Sequence, residues 1–446
     1  MMNEFKNYRP ISNLKFISKV IERVVSAQLT TYLQLHNLNG PKQSAYRQFH
    51  STETALIRVQ NDLLRAIDKH QEAVLVLLDY SAAFDTIDHQ LLIKRMRERY
   101  GITGVALKWF TSYLHDRIQT INIQNVLSDD LPLCTGVPQG SVLGPQLFTL
   151  YTAPLGDVIT AHGVNYMTYA DDTQLYMVLN RNDRSNGISQ VEQCIQDVKA
   201  WSVRNKLMLN DSKTEVIFIS SRFVKCLPFP KITIGDSIVD ISSTIKSLGV
   251  TFDKTLDMKT NVRSIVQAAS LAIFKIGRLR KYLDTKSVER LIHAFVSSRL
   301  DYCNSLLYGL PANEIAKLQR VQNSAARLVT RSKKHEHITP ILKNLHWLSI
   351  QQRIIFKIAL ITFKALNCMA PLYITDLLSD YHPSRSLRSA SQSLLCSPSV
   401  NTSYYGNRSF SVAAPLIWNQ LPYGIRKSTS LNSFKKSLKT HLFREV

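Results

Sequence analysis

The pair Asp171-Asp172, closing the stretch Tyr169-Ala170-Asp171-Asp172 between two strand-like runs, constrains this chain more than any other feature. Adjacent carboxylates at a tight turn repel each other unless positive charge lies between them, so a fold that keeps them has usually placed them to hold a divalent cation, the alternative being plain turn residues. A third acid, Asp79, ends the apolar run Ala73 to Leu78, which is short, bounded by polar residues, and reads as a buried strand. Tyr166 to Val178 reads as a hairpin with Asp171-Asp172 at its tip, because aspartate tolerates the positive φ of tight turns. Neighbouring strands can then join positions that lie far apart in the chain. Three carboxylates held by separate strands suit the paired divalent ions of nucleotidyl transfer, about 4 Å apart.

The surrounding pattern supplies such strands. Helical spacing runs from Ile11 to Leu35 and from Thr52 to Asp68, and Asp88 reads as the N-cap of a helix that Gly101 terminates. Cys134 to Gly144 is a turn punctuated by Gly and Pro, leading into a helix near Pro145 to Ile159. An amphipathic helix over Ile188 to Asn205 and a strand over Thr214 to Ile219 follow the hairpin. This order approximates β-α-β-β-α-β, an α+β layer with its helices on one side of a small antiparallel sheet. Beyond about Asp257 the pattern is almost wholly helical, and Tyr381 to Asn407 is Ser-rich and reads as a loop.

Composition narrows the partners. The chain has 446 residues, too many for one ordinary core, and 55 Lys+Arg against 33 Asp+Glu give a net charge of +22, which fits nucleic acid. Six scattered cysteines form no CxxC pair, which argues against zinc and against a disulfide framework. No signal peptide starts the chain and its best apolar stretch, Ile354 to Phe363, is short and interrupted by Lys357, so an intracellular protein without a membrane span is expected.

Three motifs occur in the order found in reverse transcriptases and resemble their central motifs: Leu78-Asp79-Tyr80-Ser81-Ala82-Ala83-Phe84-Asp85, Gly136-Val137-Pro138-Gln139-Gly140-Ser141, and Tyr169-Ala170-Asp171-Asp172. Asn7-Tyr8-Arg9-Pro10-Ile11-Ser12 resembles the fingers motif, and Leu209 to Val216 and Ser247-Leu248-Gly249-Val250 resemble the later palm motifs. The wording is similar to non-LTR retrotransposons (long interspersed elements) of the Jockey and chicken-repeat kind, through Leu345-His346-Trp347-Leu348 to the terminal Leu442-Phe443. The resemblance implies a right-hand polymerase with a ferredoxin-like palm: fingers and palm over 1–255, a helical thumb over 256–340, and a basic helical C-terminal region with the Ser-rich loop over 341–446.

It also implies roles. Asp79, Asp171 and Asp172 would hold two Mg²⁺ ions, with Mn²⁺ a possible substitute and the Tyr80 carbonyl a further oxygen ligand. Phe84 would press on the sugar and reject a 2′-hydroxyl. Arg9 would grip the triphosphate, and Gln139 and Gly140 would lie against template and nucleotide. Lys213 would protonate pyrophosphate. Arg263, Lys275, Arg278, Arg280 and Lys281 would contact the phosphates of a template–primer duplex, and the C-terminal region, with Trp347, Trp418 and its Lys/Arg residues, offers a second surface for RNA. Asp85, Asp88 and His89 read as helix-start and solvent residues.

The implied activity is RNA-directed DNA synthesis from deoxynucleoside triphosphates, on an RNA template from a DNA 3′-end, with a nuclear location expected from the family. The chain begins at the fingers motif, so it also reads as an N-terminally truncated element product. The alternative is an inactive remnant that only binds nucleic acid. A polymerase of the group II intron or telomerase type fits the motif wording less well.

Overall fold

A computed structural model describes residues 11–224, 232–234, 237–381 and 392–444. Its centre is a four-stranded sheet of β1 (Glu72–Leu78), β2 (Asn165–Tyr169), β3 (Asp172–Leu179) and β4 (Glu215–Ile219), in the spatial order β4-β1-β3-β2. All neighbours are antiparallel. With helices between β1 and β2 and between β3 and β4, this is the split β-α-β arrangement that the sequence order implies. β1 is central because it is apolar from Ala73 to Leu78, with Ala73, Val74, Leu75 and Val76 all fully buried. Burial of Val74, Leu75 or Val76 contributes about 1.5–3 kcal/mol each relative to exposure, so a charge at Leu75 or Val76 would disrupt the fold.

Burial on both faces of β1 corrects one expectation. Helices do not keep to one side of the sheet. Val74, Val76 and Leu78 face a core shared with α3 (His89–Glu98), α5 (Gly144–Thr152) and α7 (Arg184–Arg204). Ala73, Leu75, Tyr176, Ile217 and Ile219 face a second core that contains α2 (Thr52–Asp68). A strand without apolar–polar alternation requires two covered faces. The Tyr176 hydroxyl donates to Asp62 of α2 at 2.7 Å, which fixes the helix over the sheet. Ser51 starts α2 with a reciprocal cap: its Oγ accepts from Thr54 N at 3.1 Å and its N donates to Thr54 Oγ1 at 2.9 Å.

The second core does not end with the sheet. It continues through the hairpin Thr244–Ser247 and Val250–Asp253 into α8 (Lys259–Leu279), α9 (Thr285–Ile292), α10 (Ala312–Thr330), α11 (Ile350–Leu366), α12 (Phe410–Gln420) and α13 (Leu431–Arg444). Trp347 and Trp418 are 4% and 1% exposed, so both belong to this core and neither is available to RNA. The Trp418 indole donates to the Ser393 carbonyl at 2.9 Å, and its ring lies 5.9 Å from Phe434.

Other elements differ in detail. The helix expected over Pro145 to Ile159 is two, α5 and α6 (Leu155–Ala161), separated at Ala153 and Pro154. Ile118 to Ile123 belongs to a small ribbon of two-residue strands with exposed side chains. In α1 (Phe16–Leu35) the apolar stripe Ile17, Val20, Ile21 and Val24 is exposed, whereas Glu22 is 1% exposed. Among the described residues no helix is long and apolar enough to cross a membrane.

Candidate active site

The register of the sheet brings the acids together. Leu78 pairs with Thr173, so Asp79, one step on, falls opposite Asp172 on the neighbouring strand. Directly opposed residues have Cβ atoms about 4.5–5.5 Å apart. Tyr169 pairs with Asp172, leaving Ala170 and Asp171 as the two-residue turn. The tip is thus one residue earlier than expected, and the positive φ (57°) belongs to Ala170, not to an aspartate. Asp172 begins β3 as a strand residue, which gives it a fixed direction.

Asp172 has an exposed side chain, yet its carboxyl is pushed up to about 6. Partial loss of water around it is the first cause, and the negative charges of Asp171 and then Asp79 add to it. No cation figures among those causes. The positive charge nearest Asp79 is the Lys213 ammonium, 2.9 Å from Asp79 Oδ2. Lys213 ends the short turn Asp211–Lys213 before β4, and Asn210 N bonds the Asp79 carbonyl at 2.9 Å, which ties that turn to the acid's own backbone. Among the described residues no three His, Cys, Asp or Glu side chains form a closed metal-ligating set, and Asp79 is paired with Lys213. In donor chemistry the cluster fits a hard divalent cation: three carboxylates, two of which raise the proton affinity of the third.

The loop after Asp79 builds the adjoining wall. Phe84 is half-buried and stacks on the fully buried Phe148 of α5, with ring centroids 4.7 Å apart and planes 22° apart. Its position is set by packing from below. Tyr80 is buried with its hydroxyl 3.3 Å from Ser202, and burial pushes that phenol up to about 12, so only its backbone can serve the site. Asp85 is not a solvent residue: both its oxygens accept from the Gln139 amide, at 3.0 Å each. Gly136, at φ +84°, sits so close to Asp85 that a Cβ would lie 2.7 Å from the Asp85 carbonyl oxygen, so no other residue fits there. His89 Nε2 lies 2.7 Å from the Gly136 carbonyl, and Asp88 caps α3 by accepting from Leu91 N at 2.9 Å. Gly140 is exposed at φ +100°, and the Gln139 carbonyl accepts from Ser12 N at 2.9 Å.

Two residues of this wall carried no sequence signal. Glu22 reaches from α1 to accept from Val142 N at 2.6 Å and Leu143 N at 3.1 Å, anchoring the start of α5. Gln43 bonds the backbone of Ala170 at the turn that precedes Asp172. Each is a polar residue in a segment whose pattern gives no reason to single it out. Only the tertiary pairing does.

Of the five basic residues assigned to duplex contact, Arg263, Lys275, Arg278 and Lys281 are exposed on or just beyond α8. Arg280 is not. It is 8% exposed and donates to the carbonyls of Leu328 (2.9 Å), Leu283 (2.8 Å) and Val329 (3.0 Å), satisfying the end of α10. Its guanidinium is structural, because a buried Arg needs all its donors bonded. Arg9 lies outside the described residues.

The family model described as reverse transcriptase (RNA-dependent DNA polymerase) matches residues 3–252, more than half of the chain. Among curated relatives, the probable RNA-directed DNA polymerase from transposon BS of Drosophila melanogaster is 26% identical, over 78% of this chain and 39% of that protein. The RNA-directed DNA polymerase from mobile element jockey of the same fly is 27% identical, over 70% of this chain and 33% of that protein. The chain thus spans between a third and two-fifths of the length of these relatives. Among solved structures, apo telomerase from Candida tropicalis aligns at a TM-score of 0.41 and 10% identity, over 76% of this chain and 55% of that one.

Proposed function

The chain belongs to the reverse transcriptase family, with relatives in non-LTR elements, and from that premise we propose that it extends a DNA 3′-end along an RNA template, using deoxynucleoside triphosphates. The observation that carries this reading is the mutual charge of Asp79, Asp171 and Asp172 at adjoining strand ends. These three carboxylates would hold the divalent ions, Mg²⁺ or Mn²⁺. When bound, such ions supply Lewis-acid stabilisation of charge on the attacking and leaving oxygens.

The chain's own groups do the rest. A primer 3′-hydroxyl would give up its proton to solvent as its oxygen attacks the α-phosphorus, the bond to the β-phosphate oxygen would break, and pyrophosphate would leave. Lys213, already beside Asp79, would carry the proton that this leaving group takes up. The backbone of Tyr80 and of Gly140 would face the nucleotide, because neither presents a free side chain there. Gln139 would meet the template base pair only by exchanging its Asp85 contact. Phe84, braced by Phe148, would exclude a 2′-hydroxyl: Phe84→Val is expected to raise ribonucleotide incorporation by roughly tenfold or more in a competition assay. Arg9 would meet the triphosphate. Arg263, Lys275, Arg278 and Lys281 are the proposed phosphate contacts along α8, and a mainly helical thumb beginning near residue 256 is the proposed domain that carries them.

Primer extension by the purified protein tests the reading. Mg²⁺-dependent DNA synthesis on an RNA template, lost in Asp171→Asn, supports it. Salt-sensitive duplex binding with no incorporation would mark a remnant that only binds nucleic acid.

A further inference from the structure

Ala170 occupies the left-handed region at φ +57°, where a residue with a Cβ is strained and persists only if its surroundings hold it. The holder is visible. Ala170 N donates to Gln43 Oε1 at 3.1 Å, and Gln43 Nε2 donates to the Ala170 carbonyl at 3.3 Å. One amide therefore grips both polar backbone atoms of the strained residue. Gln43 Oε1 also accepts from Ala45 N at 2.9 Å, so its oxygen faces two N–H donors and its nitrogen faces a carbonyl. That pattern fixes the orientation of the amide.

The grip is anchored on the β2 side of the hairpin. Gln43 forms a parallel bridge to Thr168, with Ser44 N bonded to the Thr168 carbonyl (2.9 Å) and Thr168 N to the Lys42 carbonyl (3.0 Å). Arg47 Nη1 donates to the carbonyls of Gly40 (2.7 Å) and Gln43 (3.0 Å), closing the loop on itself. The segment around Gln43 thus adds to the sheet beside β2 and delivers one side chain to the turn. Asp171 and Asp172 follow Ala170 directly, so their direction depends on its φ and ψ.

We propose that Gln43 is a positioning residue, which holds Ala170 in its left-handed conformation and thereby aims Asp171 and Asp172 at the divalent ions. This rests on the polymerase reading for its catalytic consequence but not for its effect on ion binding. The chemistry of the side chain is specific. Glutamate accepts from the two N–H groups but cannot donate to the carbonyl, methionine does neither, and asparagine falls one methylene short.

The test uses the full chain and the variants Gln43→Met, Gln43→Glu and Ala170→Gly, and the double variant of Gln43→Met with Ala170→Gly. Glycine adopts positive φ without strain, so it removes the need for the grip. Mn²⁺ affinity, read by electron paramagnetic resonance without nucleotide, is expected to fall about tenfold in Gln43→Met, the scale for groups that orient metal ligands. In primer extension kcat should fall with KM for the nucleotide nearly unchanged. Ala170→Gly in the Gln43→Met background should recover most of the Mn²⁺ affinity. Unchanged Mn²⁺ affinity in both single Gln43 variants, or a loss that Ala170→Gly does not restore, overturns the proposal. If Gln43→Met unfolds by circular dichroism, the comparison is made on Gln43→Glu, where unchanged Mn²⁺ affinity likewise overturns it. A wild type that binds Mn²⁺ but does not polymerise leaves this inference intact and defeats the polymerase reading alone.

Discussion

Asp68 and Asp172 receive opposite treatment within one chain. Asp68, at the end of α2, is 1% exposed, and its oxygens accept from Asn401 N (3.0 Å), Thr402 N (2.7 Å), Thr402 Oγ1 (2.9 Å) and Arg65 Nη1 (3.2 Å). Glu72, also 1% exposed, pairs with Arg181 and Arg184. Glu22 is bonded by two backbone amides at the start of α5. Asp172, by contrast, is more exposed and meets two like charges. The buried carboxylates are the satisfied ones, and they join distant segments. Asp172 is left in electrostatic tension at the end of the sheet. A buried acid bonded on all sides is structural, and like charges gathered at an accessible strand end mark where a cation belongs.

Breaking each kind of site should break a different property. Asp79→Asn or Asp171→Asn should lower primer extension by on the order of a thousandfold, since ion-assisted charge stabilisation is worth several kcal/mol, with the thermal midpoint without ions unlowered. Asp68→Ala should do the reverse. It leaves two backbone amides, a hydroxyl and an Arg without their acceptor, and should cost about 3 kcal/mol in denaturant unfolding, releasing the segment around Asn401 from α2.

Acid separates two further groups by sign. His50, edge-on to Tyr373 at 5.8 Å, is held down to about 4, first by burial, against a bond to the Gln48 carbonyl that raises it. Its folded value is below the unfolded one, so the unfolded chain takes up more protons. After discounting for its partial exposure, its contribution, on the order of 2 kcal/mol, should be present above about pH 6.5 and lost as pH falls through about 4. His50→Gln should remove that slope. Asp172 runs the other way. Its folded value, about 6, is above the unfolded one, so its contribution is full below about pH 4 and lost as pH rises through 6. After discounting for solvent the effect is about 1 kcal/mol, and Asp172→Asn should abolish it in unfolding measured without divalent ions.

The sequence made the acids legible because their chemistry is local: a strand that ends in Asp79 and a turn that carries two more can be read from the letters. The order β-α-β-β-α-β was legible for the same reason, through periodicity. The second layer of helices was not, although the unbroken burial of Ala73 to Val76 already required it. Arg280 looked like its exposed neighbours Arg278 and Lys281, since helical spacing does not reveal that three carbonyls near the end of α10 and the start of α9 would wait for it. Trp347 and Trp418 looked like a binding surface only because the core that takes them in is assembled from segments far apart in the chain. Gln43 and Glu22 act on backbone atoms, and backbone atoms leave no trace in a pattern of side chains.

Thermal unfolding of the wild type and Asp172→Asn at neutral pH, with and without Mg²⁺, bears most directly on the claim that the acidic end of the sheet is a cation site held in tension. Asp172→Asn is expected to unfold at the higher temperature when no divalent ion is present, and Mg²⁺ is expected to raise the midpoint of the wild type but barely move that of the variant. A wild type that is the more stable of the two without ions, and indifferent to Mg²⁺, would contradict it.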